Sequence, residues 1–208
     1  MVKIGTYLYV GGKFTTAGTI NFKNIAKFNL QTNTWEQIAS PPYEGPQGEI
    51  YTLYYSPSRN KLFVWGNFSS IGSYITKNFA IYDLNTNQCL PNSTYLFNSF
   101  NNIVNHIDEK GDYIVVGGNF TQIDGSGYND KYFYSIALHD NSTNTWLSLG
   151  TDNGQWTSGL LTKFIIDNIK IYLVGEFDNV NLLNSIESKN IAILSNNPLI
   201  STEKFTYN

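Results

Sequence analysis

Cysteine occurs once in this chain, at position 89, and histidine only twice. A lone cysteine excludes an intramolecular disulfide and any thiolate metal cluster, which leaves Cys89 the role of a small, half-buried hydrophobe. His106 falls on an expected inner strand and His139 on a strand of another kind. No serine, second histidine or carboxylate pair recurs with either, so both read as structural and no catalytic residue is assigned. Charge is scarce as well: 13 basic against 16 acidic side chains give a net charge of −3. Such a surface has no basic field to gather phosphates, and nucleic acid is excluded as a partner. No run of 18 apolar residues exists, so no membrane insertion is expected. The opening Met1-Val2-Lys3-Ile4-Gly5 has neither the apolar core nor the cleavage site of a signal peptide. A single cysteine is compatible with the cytoplasm, and the compartment stays open. No segment sustains a 3.6-residue period, which leaves almost no helix to expect.

What is present is apolar surface, at 41% of 208 residues, enough for a globular core without covalent staples. Asparagine is abundant, with 27 copies. Sequons at Asn67, Asn92, Asn119 and Asn141 are therefore expected by chance, and whether they carry glycans is open. The excess of Asn, Ile, Tyr, Phe and Lys over Arg and Pro matches AT-rich codons, as in protist or large-virus genomes.

A repeat organises the chain. Tyr9-Val10-Gly11-Gly12-Lys13-Phe14 returns as Phe63-Val64-Trp65-Gly66-Asn67-Phe68, Val115-Val116-Gly117-Gly118-Asn119-Phe120 and Tyr172-Leu173-Val174-Gly175-Glu176-Phe177. A second landmark follows in each copy: Asn24-Ile25-Ala26, Asn78-Phe79-Ala80, Ser135-Ile136-Ala137 and Asn190-Ile191-Ala192. The first landmark ends a strand that is apolar on both faces, so its sheet must be covered on both sides. Its glycine marks close backbone approach or a positive φ, and the Phe after it anchors the next loop. The recurring alanine marks tight sheet packing. Asn29 to Trp35, Asp83 to Cys89 and Asp140 to Trp146 each open with an Asx residue and read as tight turns, with Trp35 and Trp146 as core packing. With the strands at Ile50–Tyr55, Ile103–Ile107 and Leu161–Ile166, each unit is four antiparallel strands, here named A, B, C and D from the inside outwards.

Together these strings resemble the kelch-type repeat of β-propellers, and are similar to the divergent Gly-Gly-Asn-Phe-Thr repeats of fungal cortical and bacterial surface proteins. The resemblance implies an all-β propeller with four recognisable blades, near residues 5–40, 49–91, 102–150 and 160–205, in a single domain. The double glycine is complete only at Gly11-Gly12 and Gly117-Gly118. The copper oxidases of kelch-like type need a Cys-linked Tyr and several His, a poor match to this composition. The first blade is expected to lack its inner strand, and the fourth to end on a D strand near Leu199–Phe205. Three outcomes follow: the tail at 204–207 closes blade one, the chain is part of a larger ring, or self-association completes the ring.

Strand parity puts the B–C and D–A loops on one side, and these are the long ones. They carry Tyr43, Glu44, Tyr74, Tyr95, Phe97, Tyr128, Tyr132 and Trp156, the expected binding face. Asp124, Ser126 and Asp130 place oxygens at alternate positions, as a calcium loop does, but without the downstream bidentate acid, and no cofactor is assigned. The reading is a non-enzymatic module that binds a protein partner. A carbohydrate-binding or surface/virion structural propeller, with a glycan as ligand, is the alternative, and a lyase or oxidase on the same fold is a third.

Overall fold

The computed structural model describes residues 1–38, 45–72, 74–76, 78–90, 100–123, 133, 135–143, 145–147, 159–167, 170–177, 185–186 and 190–195. Every regular element among them is a β-strand. Two compact units form: Met1–Val104 with Ile123–Asn129, and Asn105–Gln122 with Asp130–Asn208.

The first unit holds two sheets. In the first sheet β1 (Val2–Ile4), β2 (Tyr7–Gly11), β5 (Ile25–Asn29) and β6 (Thr34–Glu36) lie in that order, and β3 (Thr16–Ala17) pairs with β4 (Ile20–Asn21) as a separate hairpin. In the second, β7 (Pro46–Ser56), β8 (Lys61–Ile71), β10 (Phe79–Asp83) and β11 (Gln88–Leu90) repeat the order, and β9 (Tyr74–Ile75) pairs with the far end of β8. Two expectations are corrected here. Blade one does possess an inner strand: Ile4 pairs with Tyr7 across a two-residue turn in which Gly5 takes φ 56°, so β1 folds back on β2 despite its length. And the B–C connections of blades one and two are not open loops. They fold into hairpins that turn at Gly18 (φ 62°) and Gly72 (φ 56°).

The second unit repeats the plan. Its first sheet runs β12 (Val104–Lys110), β13 (Tyr113–Gly118), β14 (Ile136–Asp140) and β15 (Thr145–Leu147). Its second runs β16 (Leu160–Ile166), β17 (Lys170–Glu176), β19 (Ile191–Ser195) and then β18 (Ser185–Ile186). The outer place in this sheet is thus held by a piece of the B–C connection, and the expected D strand at 199–205 lies outside the described residues.

Asx chemistry makes the outer turns, as the sequence implies. Asn29 Oδ1 accepts from the amides of Gln31 and Thr32, Asp83 Oδ1 from that of Asn85, and Asp140 Oδ1 from those of Ser142 and Thr143. Asn33 and Asn87 take the left-handed conformation that closes two of these turns.

One rule joins sheets within each unit. In the first, Tyr9 and Ile25 enter a single buried cluster with Ile50, Leu62, Val64, Ala80 and Tyr82 of the second sheet. In the second, Val115, Ile136 and Leu138 meet Leu161, Phe164, Ile171, Leu173 and Ala192. The face of Tyr9 and Val115 is the leading face of its sheet, and that of Leu62 and Ile171 is the trailing face. The two landmark glycines divide the work of letting this happen. The first makes room for the next sheet: a β-carbon on Gly117 would lie 2.6 Å from Leu161 Cδ2, and one on Gly11 2.6 Å from Ile50 Cγ2. In blades two and four the second makes room within its own sheet, since a β-carbon on Gly66 would lie 2.0 Å from the carbonyl oxygen of Glu49 on β7, and one on Gly175 2.1 Å from that of Leu160 on β16. Neither needs positive φ, so close approach is the reading that holds. Where the first glycine is replaced, by Trp65, the indole packs 4.4 Å from the Phe79 ring and edge-on to Phe100.

The second landmark opens with a latch. Asn24, Asn78, Ser135 and Asn190 all sit at φ 62–67°. Each accepts from the glycine amide (Gly12, Gly66, Gly118, Gly175) and donates its own amide to the carbonyl of the anchoring Phe (Phe14, Phe68, Phe120, Phe177). In three copies the side chain then reaches the chain that enters the next inner strand. Asn24 Nδ2 donates to Pro46 O at 3.0 Å, Asn78 Nδ2 to Phe100 O at 3.1 Å and Ser135 Oγ to Gly159 O at 3.1 Å.

Candidate recognition surface

The B–C hairpins of the first unit are built as rigid extensions of their blades. Their feet are buried: Ala17 and Phe22 in the first, Phe68 and Ile71 in the second. Equivalent amide bonds, Phe22 to Thr15 O at 3.0 Å and Thr76 to Ser69 O at 3.1 Å, close both. The buried Thr76 hydroxyl donates in turn to the carbonyl of Phe79, tying the second hairpin to β10. Beyond those feet, apolar side chains near the turns stand in water. Ile20 is 44% exposed, Tyr74 39% and Ile75 91%. An isoleucine held almost wholly in water on a braced hairpin is an unusual use of an apolar side chain.

Of the residues expected on the binding face, Tyr74 lies on β9 and is exposed. Tyr43, Glu44, Tyr95, Phe97, Tyr128, Tyr132 and Trp156, and the calcium candidates Asp124, Ser126 and Asp130, lie outside the described residues. Ile20 and Ile75 were missed by sequence reasoning. The signal for them is a glycine four residues beyond the anchoring Phe, at Gly18 and Gly72, which marks a two-residue hairpin turn rather than a loop.

The histidines serve packing. The His106 ring stands edge-on to Phe164 at 4.7 Å, and burial, followed by the charge of Lys163, pushes its pKa down. His139 is buried against Trp146 at 5.0 Å with Nδ1 bonded to Asn141 Oδ1 at 2.9 Å. Trp146 is itself buried, and Trp35 packs half-buried on Phe28, so both tryptophans act as expected. Cys89 is half-buried against the core of the first unit, and burial pushes its thiol up to about 12. Lys61 and Asp83, cross-strand partners on β8 and β10, form a buried ion pair that holds the Asp83 carboxyl below its usual value. Among the described residues no three His, Cys, Asp or Glu side chains gather as a metal site.

The family model of the Rax2 C-terminal beta propeller domain matches residues 2–149. The chain belongs to that family. The matched stretch takes in the sheets of β1–β6, β7–β11 and β12–β15, and the fourth sheet continues the same landmarks at Gly175 and Asn190. The four sheets are therefore blades of a β-propeller. No curated protein matches the chain.

Proposed function

We propose that this Rax2-type propeller is a non-enzymatic interaction module that binds a protein through its B–C hairpin side. The observation that carries this is the pair of braced hairpins presenting Ile20, Tyr74 and Ile75 to solvent. A rigid scaffold with apolar and aromatic tips suits recognition because the tips lose little conformational freedom on binding. The engagement of both histidines in packing supports the non-enzymatic reading. The double glycines and the tryptophans of β6 and β15 favour a kelch-like repeat type. The test has two stages. Proteins retained by the immobilised chain are identified, and the one retained in highest yield is purified and titrated against wild type and Ile75→Asp. At least tenfold weaker binding by the variant, about 1.4 kcal/mol, at an unchanged melting temperature supports the reading. Equal affinity overturns it, and glycan-array binding that Tyr74→Ala abolishes favours the carbohydrate alternative.

A further inference from the structure

We infer that His106 is an acid-operated release at the contact between blades three and four, one that holds while its imidazole is neutral and loosens when the ring takes up a proton. Asn105 and His106 of β12 and the whole of β16 lie in the same compact unit. These two consecutive residues reach from one inner strand to the next. Asn105 Nδ2 donates to Leu161 O at 3.0 Å, and the His106 ring stands edge-on to Phe164 at 4.7 Å and donates to the Phe164 backbone. Leu161 and Phe164 are buried and belong to the cluster that joins the two blades. His106 itself is half-buried. A neutral imidazole suits that place, since one ring N–H meets the backbone while the ring packs on Phe164.

A charged ring suits it poorly. Burial strips away the water that an imidazolium needs, and the ammonium of Lys163, the β16 residue next to Phe164, repels the added charge across the contact. Asp108, two residues along β12, and the bond to the Phe164 backbone pull the other way, but burial and Lys163 prevail, and the ring holds its proton more weakly than an ordinary histidine. The unfolded chain therefore binds this proton more readily than the folded one. Stability from the neutral contact is complete above about pH 6.5, the unfolded value, and is lost as pH falls through it. The chain's other imidazole, His139, packs on Trp146 of β15 instead.

The test is proton NMR of the full 208-residue chain, titrated from about pH 8 to 5, beside thermal melts. Two histidines give two imidazole Cε1–H signals, and the one lost in His106→Phe identifies His106. That signal is expected to titrate below 6.5, and Lys163→Glu, at an exposed position of blade four, is expected to move the titration upward. In the melts wild type is expected to lose at least about 1 °C more between pH 7.5 and 5.5 than His106→Phe, which keeps a ring against Phe164 but cannot take up the proton. Titration at or above 6.5, a titration that Lys163→Glu leaves in place, or equal pH responses of wild type and His106→Phe overturns the inference. Should His106→Phe fail to fold, His106→Gln takes its place in both measurements.

Discussion

Gly117 lies directly against Leu161, so close that a β-carbon on the glycine would sit 2.6 Å from the leucine Cδ2 and 3.0 Å from the Phe164 ring. Both neighbours are buried and cannot swing into solvent. Gly117→Ala is therefore expected to destabilise by about 1–3 kcal/mol through overpacking. Gly66→Ala is expected to be worse, because the obstacle there is the backbone oxygen of Glu49 at 2.0 Å rather than a side-chain end. Urea unfolding of the two variants should rank them in that order.

Asn78 combines two tasks that substitution can separate. Its left-handed φ of 64° disfavours residues with a β-carbon, and its amide holds Phe100 O. Asn78→Gly keeps the conformation and loses the bond, for about 1 kcal/mol. Asn78→Ala loses both and should be worse by about a further 1 kcal/mol. Equal losses in the two variants, measured by urea unfolding, would show that the backbone conformation carries no penalty there.

Acid should expose the Lys61–Asp83 pair. The hydrogen bond from Lys61, aided by the backbone amides of Asn85 and Thr86, depresses the Asp83 pKa in the fold, while the unfolded chain titrates near about 3.9. The folded state thus binds this proton more weakly. Its stabilisation is fully present above the unfolded value and is lost as pH falls through the folded one, below about pH 4. Asp83→Asn is expected to lower stability by about 1–3 kcal/mol at pH 7, with the gap to wild type closing below pH 4 in thermal melts. A gap that stays constant down to pH 2 contradicts this.

Cys89 should be nearly inert in the fold. With its pKa pushed up to about 12, the thiolate, which is the reactive species, is about one part in 10⁴ at pH 8. Labelling with a chromogenic disulfide is expected to be at least about a hundredfold slower in the native chain than in urea. Equal rates would mean that Cys89 is not sheltered by the core.

The repeat could be read in the chain because each landmark residue is bound by a local constraint: a glycine where two backbones meet, an asparagine at positive φ, an Asx side chain over a turn. The inner strand of blade one escaped because three residues carry little periodicity, although Gly5 in the turn announced it. The crowding of Gly11 and Gly117 depends on the neighbouring sheet, which no single repeat contains. Substitutions at the first glycine turn out to be informative: Trp65 fills aromatic space against Phe79 and Phe100, and Val174 stands in solvent. At the candidate surface, Tyr74 was legible as an aromatic in a connection. Ile75 was not, because whether an isoleucine faces core or water is decided by the hairpin pairing Ser70↔Ile75 and Ile71↔Tyr74.

The account rests on blades that meet leading face to trailing face, and a double-mutant cycle between Gly117→Ala and Leu161→Ala tests that contact directly. If the two positions touch, the methyl group added at position 117 occupies space vacated by the Leu161 side chain, and Gly117→Ala loses most of its penalty in the Leu161→Ala background. The predicted coupling is at least about 1 kcal/mol by urea unfolding. Penalties that simply add would contradict the contact and the packing rule built on it.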